Sequence, residues 1–396
     1  MWDEISKGDN NECLSKATII YGNINEVPEI PTEPVVVAAN EAADTIAGLT
    51  GRKLVKVTGN CDSETVSAIG NALKDSSAQI LLDLSTVNGL TEIPQDCFRN
   101  SNSLVEITLP DSVKKIGSQA FSWCSSLQSV NNLGNITTIE SWCFGVCGNL
   151  QSITIPASVT SIGQSAFSYC NNLRDIVIDE ENANFTVKNR AIYTKDEATL
   201  VAYPSASETV EIPGGVTTIG AGAFAGSLIE GIKLPDSLTE IGNAAFHECT
   251  SLVSITIPES VTKISQEAFN CCSGLTSIVI PSSVTTIEHG VFHLCYNLQS
   301  VEILGNISVI KSRTFENCES LESITIPRSV TCIESGVFNG CNNLSSVTFE
   351  DENNWYVSVN QDSGSAGDPV DVDDSSYNAE RLLGEYCNYY WTKVEE

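Results

Sequence analysis

Only three histidines occur in 396 residues, His247, His289 and His293, and they limit what acid–base or metal chemistry the chain could do. His289 and His293 stand four apart with Cys295 nearby. On a helix that spacing would turn both rings one way, but zinc needs four converging ligands. The pair instead straddles Phe292 in a tight connection, so both rings read as variable surface positions. No serine has a histidine and an acid in a recognisable triad order, and no glycine-rich phosphate loop occurs. The acidic runs Asp179, Glu180, Glu181 and Asp368, Asp371, Asp373, Asp374 could gather oxygens, yet neither has the spacing, glycine and closing glutamate of a calcium loop. Both are expected to be solvated loops. Sequons at Asn135, Asn184, Asn306 and Asn343 matter only where a host glycosylates. No catalytic residue, cofactor or metal site is assigned.

The fifteen cysteines remain. Two are adjacent, Cys271 and Cys272 in AFNCCSGLTSIVIP, and the second belongs to a repeat. Phenylalanines fall 23 residues apart at Phe98, Phe121, Phe144 and Phe167, and again at Phe246, Phe269, Phe292, Phe315 and Phe338. Phe224 precedes Phe246 by 22. Counting from each Phe, a Cys lies three on, Leu six on, Ile or Val nine on and usually an aliphatic eleven on. Pro often follows at twelve, an aliphatic at fifteen and Ile at eighteen. Such a period is the signature of a leucine-rich solenoid. The Cys column holds Cys124, Cys147, Cys170, Cys249, Cys272, Cys295, Cys318 and Cys341, while Cys271 stands at a variable position. A small soft side chain stacking on its copy in the next coil, about 4.8 Å away, behaves as a hydrophobe. In-register side chains point the same way, so the column is expected to be buried free thiols rather than disulfides or metal ligands.

Residues 1–34 read as a polar, acidic segment ending in an extended VPEIPTEP linker. Residues 35–84 read as an α/β cap: strand and short helix in VVVAANEAADTIAGL, strand KLVKV, helix DSETVSAIGNALKDS and strand QILLDL. Asp62 or Ser63 could cap that helix, and a solenoid needs a cover for its first coil. The array of about ten coils runs over 85–349, each coil with a strand such as SITIP and a second extended piece such as VTSI. The 57-residue gap between Phe167 and Phe224 holds one enlarged coil at 179–212. There NFTVKNRAIYTKDEATLVAYP, Asn184–Pro204, reads as a projecting hairpin that turns at TKDEAT and carries Tyr193 and Tyr203. Residues 350–396 read as a C-terminal cap with Trp355, Tyr386, Tyr390 and Trp391 over the last coil.

The unit F-x-x-C-x-x-L-x-x-I-x-I-P-x-x-V-T-x-I-x-x-x-A-F resembles the BspA-type leucine-rich repeat family, over ten coils and about two thirds of the chain. The caps look like those of spirochaete members. The resemblance implies a surface or secreted protein of mucosal bacteria or parasitic protists, one that binds host proteins or other cells and has no known active site. It carries no fixed binding motif, so it assigns no residue.

Twenty basic against fifty acidic residues give a net charge of −30, which excludes partners held by cationic contacts, nucleic acid above all. No apolar run is long enough to span a membrane, and MWDEISKGDNNECLSKATII lacks the basic and apolar regions of a secretory signal. Localisation outside the cell therefore rests on the resemblance. The candidate site is a surface. Serines recur eight residues after Phe (Ser129, Ser152, Ser254, Ser277, Ser300, Ser323, Ser346) and threonines ten after (Thr108, Thr154, Thr256, Thr325, Thr348). These exposed strand positions form hydroxyl rows about 50 Å long at parallel-strand spacing. Glu106, Asn131, Asp175, Lys233 and Glu302 interrupt the rows and would confer specificity. The fold expected is a mainly β leucine-rich repeat solenoid with an α/β N-terminal cap and an aromatic C-terminal cap. The function expected is a non-enzymatic, adhesin-like protein-binding scaffold. A structural spacer and a hydrolase hidden in a cap are the competing readings.

Overall fold

A computed structural model describes residues 33–204, 207–358, 368–384 and 386–394. The contacts divide the chain into two units, Pro28–Leu228 with Ser237–Ala245, and Ile229–Asp236 with Phe246–Glu396. Both are built of leucine-rich repeat coils.

The first unit opens with β1 (Val35–Ala38), α1 (Ala42–Ala47), β2 (Arg52–Asn60), α2 (Ser63–Asp75) and β3 (Gln79–Asn88). The strands pair in parallel and continue into Leu104–Thr108 and Ser129–Asn131 of the first coils. Asp62 caps α2 by accepting the Thr65 amide at 2.9 Å. The helix lies against the first coil. Cys97 Sγ, Ser101 Oγ and Ser103 Oγ donate to the carbonyls of Val66, Gly70 and Leu73. Gly70 costs a helix about 1 kcal/mol relative to Ala. It stands there because a Cβ would sit 2.0 Å from the Cys97 carbonyl oxygen.

Each coil holds one main strand, such as Ser152–Ile155, and a two-residue strand, such as Ser161–Ile162. The turn centred on the phenylalanine, here Phe167, follows the short strand and leads to the next coil's main strand, Asp175–Ile178. Those rings are buried and stacked, with centroids 5.2–5.5 Å apart from Phe98 to Phe167. In the second unit they are 5.2–5.8 Å apart from Phe246 to Phe338. Burying one such side chain is worth about 1.5–3 kcal/mol. The backbone joins coil to coil at the same place: Phe98 N donates to Ala120 O at 2.8 Å, and Phe269 N to Val291 O at 2.9 Å.

Two residues flank each ring, at minus two and plus two, with positive φ. Asp96 and Asn100 flank Phe98, Trp142 and Val146 flank Phe144, and Glu267 and Cys271 flank Phe269. Gly222 and Gly226 hold the same two places around Phe224. Cys271, at φ 58°, is thus a left-handed turn residue, buried against Leu294 of the next coil and the partly buried Tyr296.

The fourteen described cysteines are free. The column of eight is buried, but not as a plain hydrophobe. Cys147 Sγ donates to Phe121 O at 3.0 Å, Cys272 Sγ to Phe246 O at 3.1 Å and Cys341 Sγ to Phe315 O at 3.0 Å. Where no Cys stands in the column, Ser101 and Ser227 do, both wholly buried. The position selects a small side chain able to donate inward. Burial pushes the thiols of Cys124 and Cys170 up to about 12, against their hydrogen bonds to backbone, so they stay protonated.

The enlarged coil differs from expectation. Phe185–Lys188, Ala191–Thr194 and Thr199–Ala202 form an antiparallel meander. TKDEAT makes its second turn, and Asn189–Arg190, with φ of 49° and 67°, makes its first. Phe185, Ala191, Ile192, Tyr193 and Leu200 are buried, and Leu200 pairs with Ile219 as an ordinary coil strand would. The insertion is part of the core rather than a projection.

In the second unit, Tyr390–Lys393 pairs antiparallel with Cys332–Ile333 and with Trp355–Ser358. Trp355 and Trp391 are buried on either side of Phe349, with centroids 4.9 and 6.1 Å from its ring, while Tyr386 and Tyr390 are half-buried. Asp374 caps the helix Ser375–Leu383, and a Lys393–Asp351 ion pair ties the last strand down. Among the described residues no helix is long and apolar enough to cross a membrane.

Candidate interaction face

The main strands alternate, so positions nine and eleven after Phe face the core while eight and ten face solvent; Ser277–Ile280 reads exposed, buried, exposed, buried. In the second unit Ser277, Ser300, Ser323 and Ser346 are successive partners, forming one row. Thr325 pairs with Thr348 in the other row, and Val279 with Glu302. Ser254 pairs with Gly231, two residues before Lys233. Lys233, Ser254, Thr256, Ser277, Glu302, Ser323 and Thr325 are all exposed.

In the first unit Ser152 pairs with Asp175 and Thr154 with Val177. Glu106 and Asn131 stand diagonally on adjacent strands, and Asn131 Nδ2 donates to Glu106 Oε1 at 2.7 Å. This pair is held in place before any partner arrives. The row continues into the cap through Asp83, opposite Thr108, and Lys56, whose ammonium lies 3.8 Å from the Asp83 carboxylate.

What the hydroxyls do separates these rows from the rest of the coil. On the far side of each coil Ser112, Ser158, Ser237 and Ser283 donate to a carbonyl of the preceding coil at 2.6–2.7 Å. Those hydroxyls are spent on cohesion. Among the described residues the side-chain hydroxyls of the eight-row serines and ten-row threonines make no hydrogen bond to the protein; most face solvent, while Thr108, Ser129 and Ser346 are half-buried. The sequence reading missed Val177 and Val279, 55% and 46% exposed in the threonine row. Their register with the threonines was the signal that could have found them.

The histidines sit elsewhere. His289 is exposed, with Nδ1 2.8 Å from Ser312 Oγ. His293 is not a surface position: it is buried one residue after Phe292, with Nε2 3.4 Å from Glu316 Oε2. His247, Asn270 and Glu316 occupy the equivalent place in neighbouring coils, making a polar column beside the phenylalanine stack. Burial drives His247 and His293 down to about 4, so both are neutral at pH 7. Burial raises Glu267 and Glu316 despite Arg313 nearby. Among the described residues no three His, Cys, Asp or Glu side chains gather as metal ligands. Asp179 and Asp371 accept backbone amides two residues on, as turn residues do.

Comparison with known proteins agrees with this architecture. A family model described as BspA type leucine rich repeat region (6 copies) matches residues 91–211, 202–322 and 268–358. No curated protein matches the chain. A leucine-rich repeat protein from Eubacterium ventriosum is 25% identical with a TM-score of 0.54, over 72% of this chain and 90% of its own. A leucine rich cell surface protein from Faecalibacterium prausnitzii is 24% identical with a TM-score of 0.55, over 80% and 83%. The pneumococcal vaccine antigen PcpA is 23% identical with a TM-score of 0.56, over 73% and 69%. With its 23-residue phenylalanine period, inward-donating cysteine column and repeated match, the chain belongs to the BspA-type leucine-rich repeat family.

Proposed function

We propose that the chain is a non-enzymatic protein-binding scaffold, working outside the cell or at its surface as an adhesin-like protein that contacts proteins of host or neighbouring cells. Membership of a repeat family of interaction scaffolds supports the class. The carrying observation is the in-register array of exposed hydroxyls that make no bond within the protein. Short hydroxyls lose little entropy when they engage a partner and can donate or accept, so such a surface adapts to a protein or its bridging waters. Lys233, Glu302, Asp175 and the Glu106–Asn131 pair supply the positions where one partner is told from another.

The test is capture by immobilised extracellular-matrix and cell-surface proteins, comparing the native chain with Ser277→Arg/Ser300→Arg/Ser323→Arg. Three bulky cations in one row should weaken capture at least tenfold with the melting transition unchanged. The reading is overturned if that variant binds as the native chain does, or if no such protein is captured and the coils act only as a spacer.

A further inference from the structure

At the second turn of the meander the first unit has a cavity of about 110 Å³, lined by Lys188, Tyr193, Asp196, Glu197, Pro213 and the Gly214–Val216 segment. Tyr193, Pro213 and Val216 contribute its apolar lining, Tyr193 and Val216 being themselves buried. Its rim is open at Gly214 and Gly215, where an added Cβ would meet nothing within 4 Å. Two carboxylates face it from consecutive residues.

The chain already shows what those carboxylates accept. Lys188 reaches across the meander and places its ammonium 2.6 Å from Glu197 Oε1. Asp196 is fixed by its own turn, its Oδ1 accepting the Thr194 hydroxyl at 2.7 Å and the Ala198 amide at 3.1 Å. The same bonds hold its carboxyl below the usual range, so it is anionic at neutral pH. Both bonds go to Oδ1, which leaves Oδ2 for a second cation. Carboxylates beside apolar lining suit a side chain with methylenes below a charged head.

We propose that this cavity is a socket for an arginine side chain from a basic segment of a partner protein. Asp196 and Glu197 bring two carboxylates from consecutive residues to one cavity, and a guanidinium's planar fork can engage two carboxylate oxygens side by side where an ammonium acts as a point charge. The overall charge of −30 brings basic chains to the surface; the socket selects where one residue seats. This deepens the scaffold reading by naming one contact class, on residues apart from the hydroxyl rows.

The test measures binding of a fluorescein-labelled, end-capped Gly-Arg-Gly-Arg-Gly peptide at about 0.15 M salt, where long-range attraction is screened over about 8 Å. Twins carrying lysine or neutral citrulline in place of arginine serve as comparisons. Asp196→Asn keeps an acceptor for both turn bonds and removes the charge, and should weaken the arginine peptide about tenfold. Asp75→Asn, an exposed acid on the same unit, should change it less than twofold. Lys188→Gln frees Glu197 and should tighten binding several-fold. The proposal is overturned if the arginine peptide does not bind, if Asp196→Asn and Asp75→Asn act alike, if Lys188→Gln weakens binding, or if the lysine twin binds as well. A failure here leaves the hydroxyl-row reading intact, since capture in that assay is lost through Ser277, Ser300 and Ser323.

Discussion

Cys272 gives its thiol hydrogen to the Phe246 carbonyl, an oxygen that also accepts the Cys249 amide at 3.1 Å. Replacing it by alanine opens a small cavity and removes one of two donors, so Cys272→Ala should cost about 1–3 kcal/mol. Cys272→Ser keeps a donor of the kind that Ser101 and Ser227 supply and should cost less; denaturation midpoints of the two variants decide it. A thiol reagent should label few cysteines in the native protein and most of them in denaturant. Cys271→Ala should cost less than Cys272→Ala, because Cys271 stands outside the inward-donating column, in a small cluster with Leu294 and Tyr296. Ala244, at φ 50°, carries the left-handed strain with almost no side chain to lose. That conformation costs an L-residue about 1–2 kcal/mol, and glycine gives back about 0.5–1 kcal/mol as backbone entropy. Ala244→Gly should therefore raise stability by up to about 1 kcal/mol, read from the same midpoints. The phenylalanine and cysteine columns were legible because full burial tolerates little variation. The left-handed pairs were not, because Trp142, Val146 and Glu267 occupy places where only glycines such as Gly222, Gly226, Gly290, Gly336 and Gly340, and the asparagines, announce the backbone.

At the scale of elements, the meander and the last strand make opposite expectations. Phe185, Ile192 and Leu200 fill the interior, so replacing Phe185–Thr194 by a short linker should lower the unfolding midpoint of the first unit rather than leave its coils intact. Circular dichroism melts check this. The sequence showed the alternation and the second turn, but burial of both strands depends on the long-range pairing of Leu200 with Ile219, which no local pattern encodes. The last strand is held by charge. Bonding to Lys393 first, and to the Asn353 amide next, brings Asp351 down to about 2. A carboxylate lowered in the folded state stabilises it above the unfolded value, near 3.9, and that support is lost as pH falls towards 2. Asp351→Asn should abolish this acid-dependent step in amide exchange of Tyr390–Lys393.

At the scale of the whole molecule, the second unit should weaken in acid before the first. His247 and His293 stay neutral in the fold down to about 4, whereas an unfolded histidine takes a proton near 6.5. Between those values the unfolded state binds more protons, so stability falls as pH falls, by about 3 kcal/mol per histidine over the whole interval. Glu267 and Glu316, raised by the same burial, act oppositely: their penalty is present at neutral pH and is relieved on acidification. His247→Asn/His293→Asn should remove the loss and leave the carboxylate gain, so the second unit should lose less stability between pH 7 and pH 5 than it does in the native chain. The histidine column was hidden from the sequence because the place after Phe also takes Ser122, Gly145 and Ala225. The candidate face was legible only as a pattern, since small and β-branched residues suit any exposed strand. Binding through those rows predicts association rates that respond weakly to salt, whereas a steep fall with salt would shift the contact to acidic loops.

The phenylalanine stack has an optical consequence. Rings held 5.2–5.8 Å apart and within 2–14° of parallel in both units share a fixed, asymmetric environment. Their electronic transitions couple along the row, so the near-ultraviolet dichroism should carry phenylalanine fine structure stronger than the same number of isolated rings would give. That signal depends on neighbours rather than on any single ring. Loss of one coil from the middle of a row would erase two couplings, and loss of a terminal coil only one, which turns the spectrum into a record of where unravelling begins.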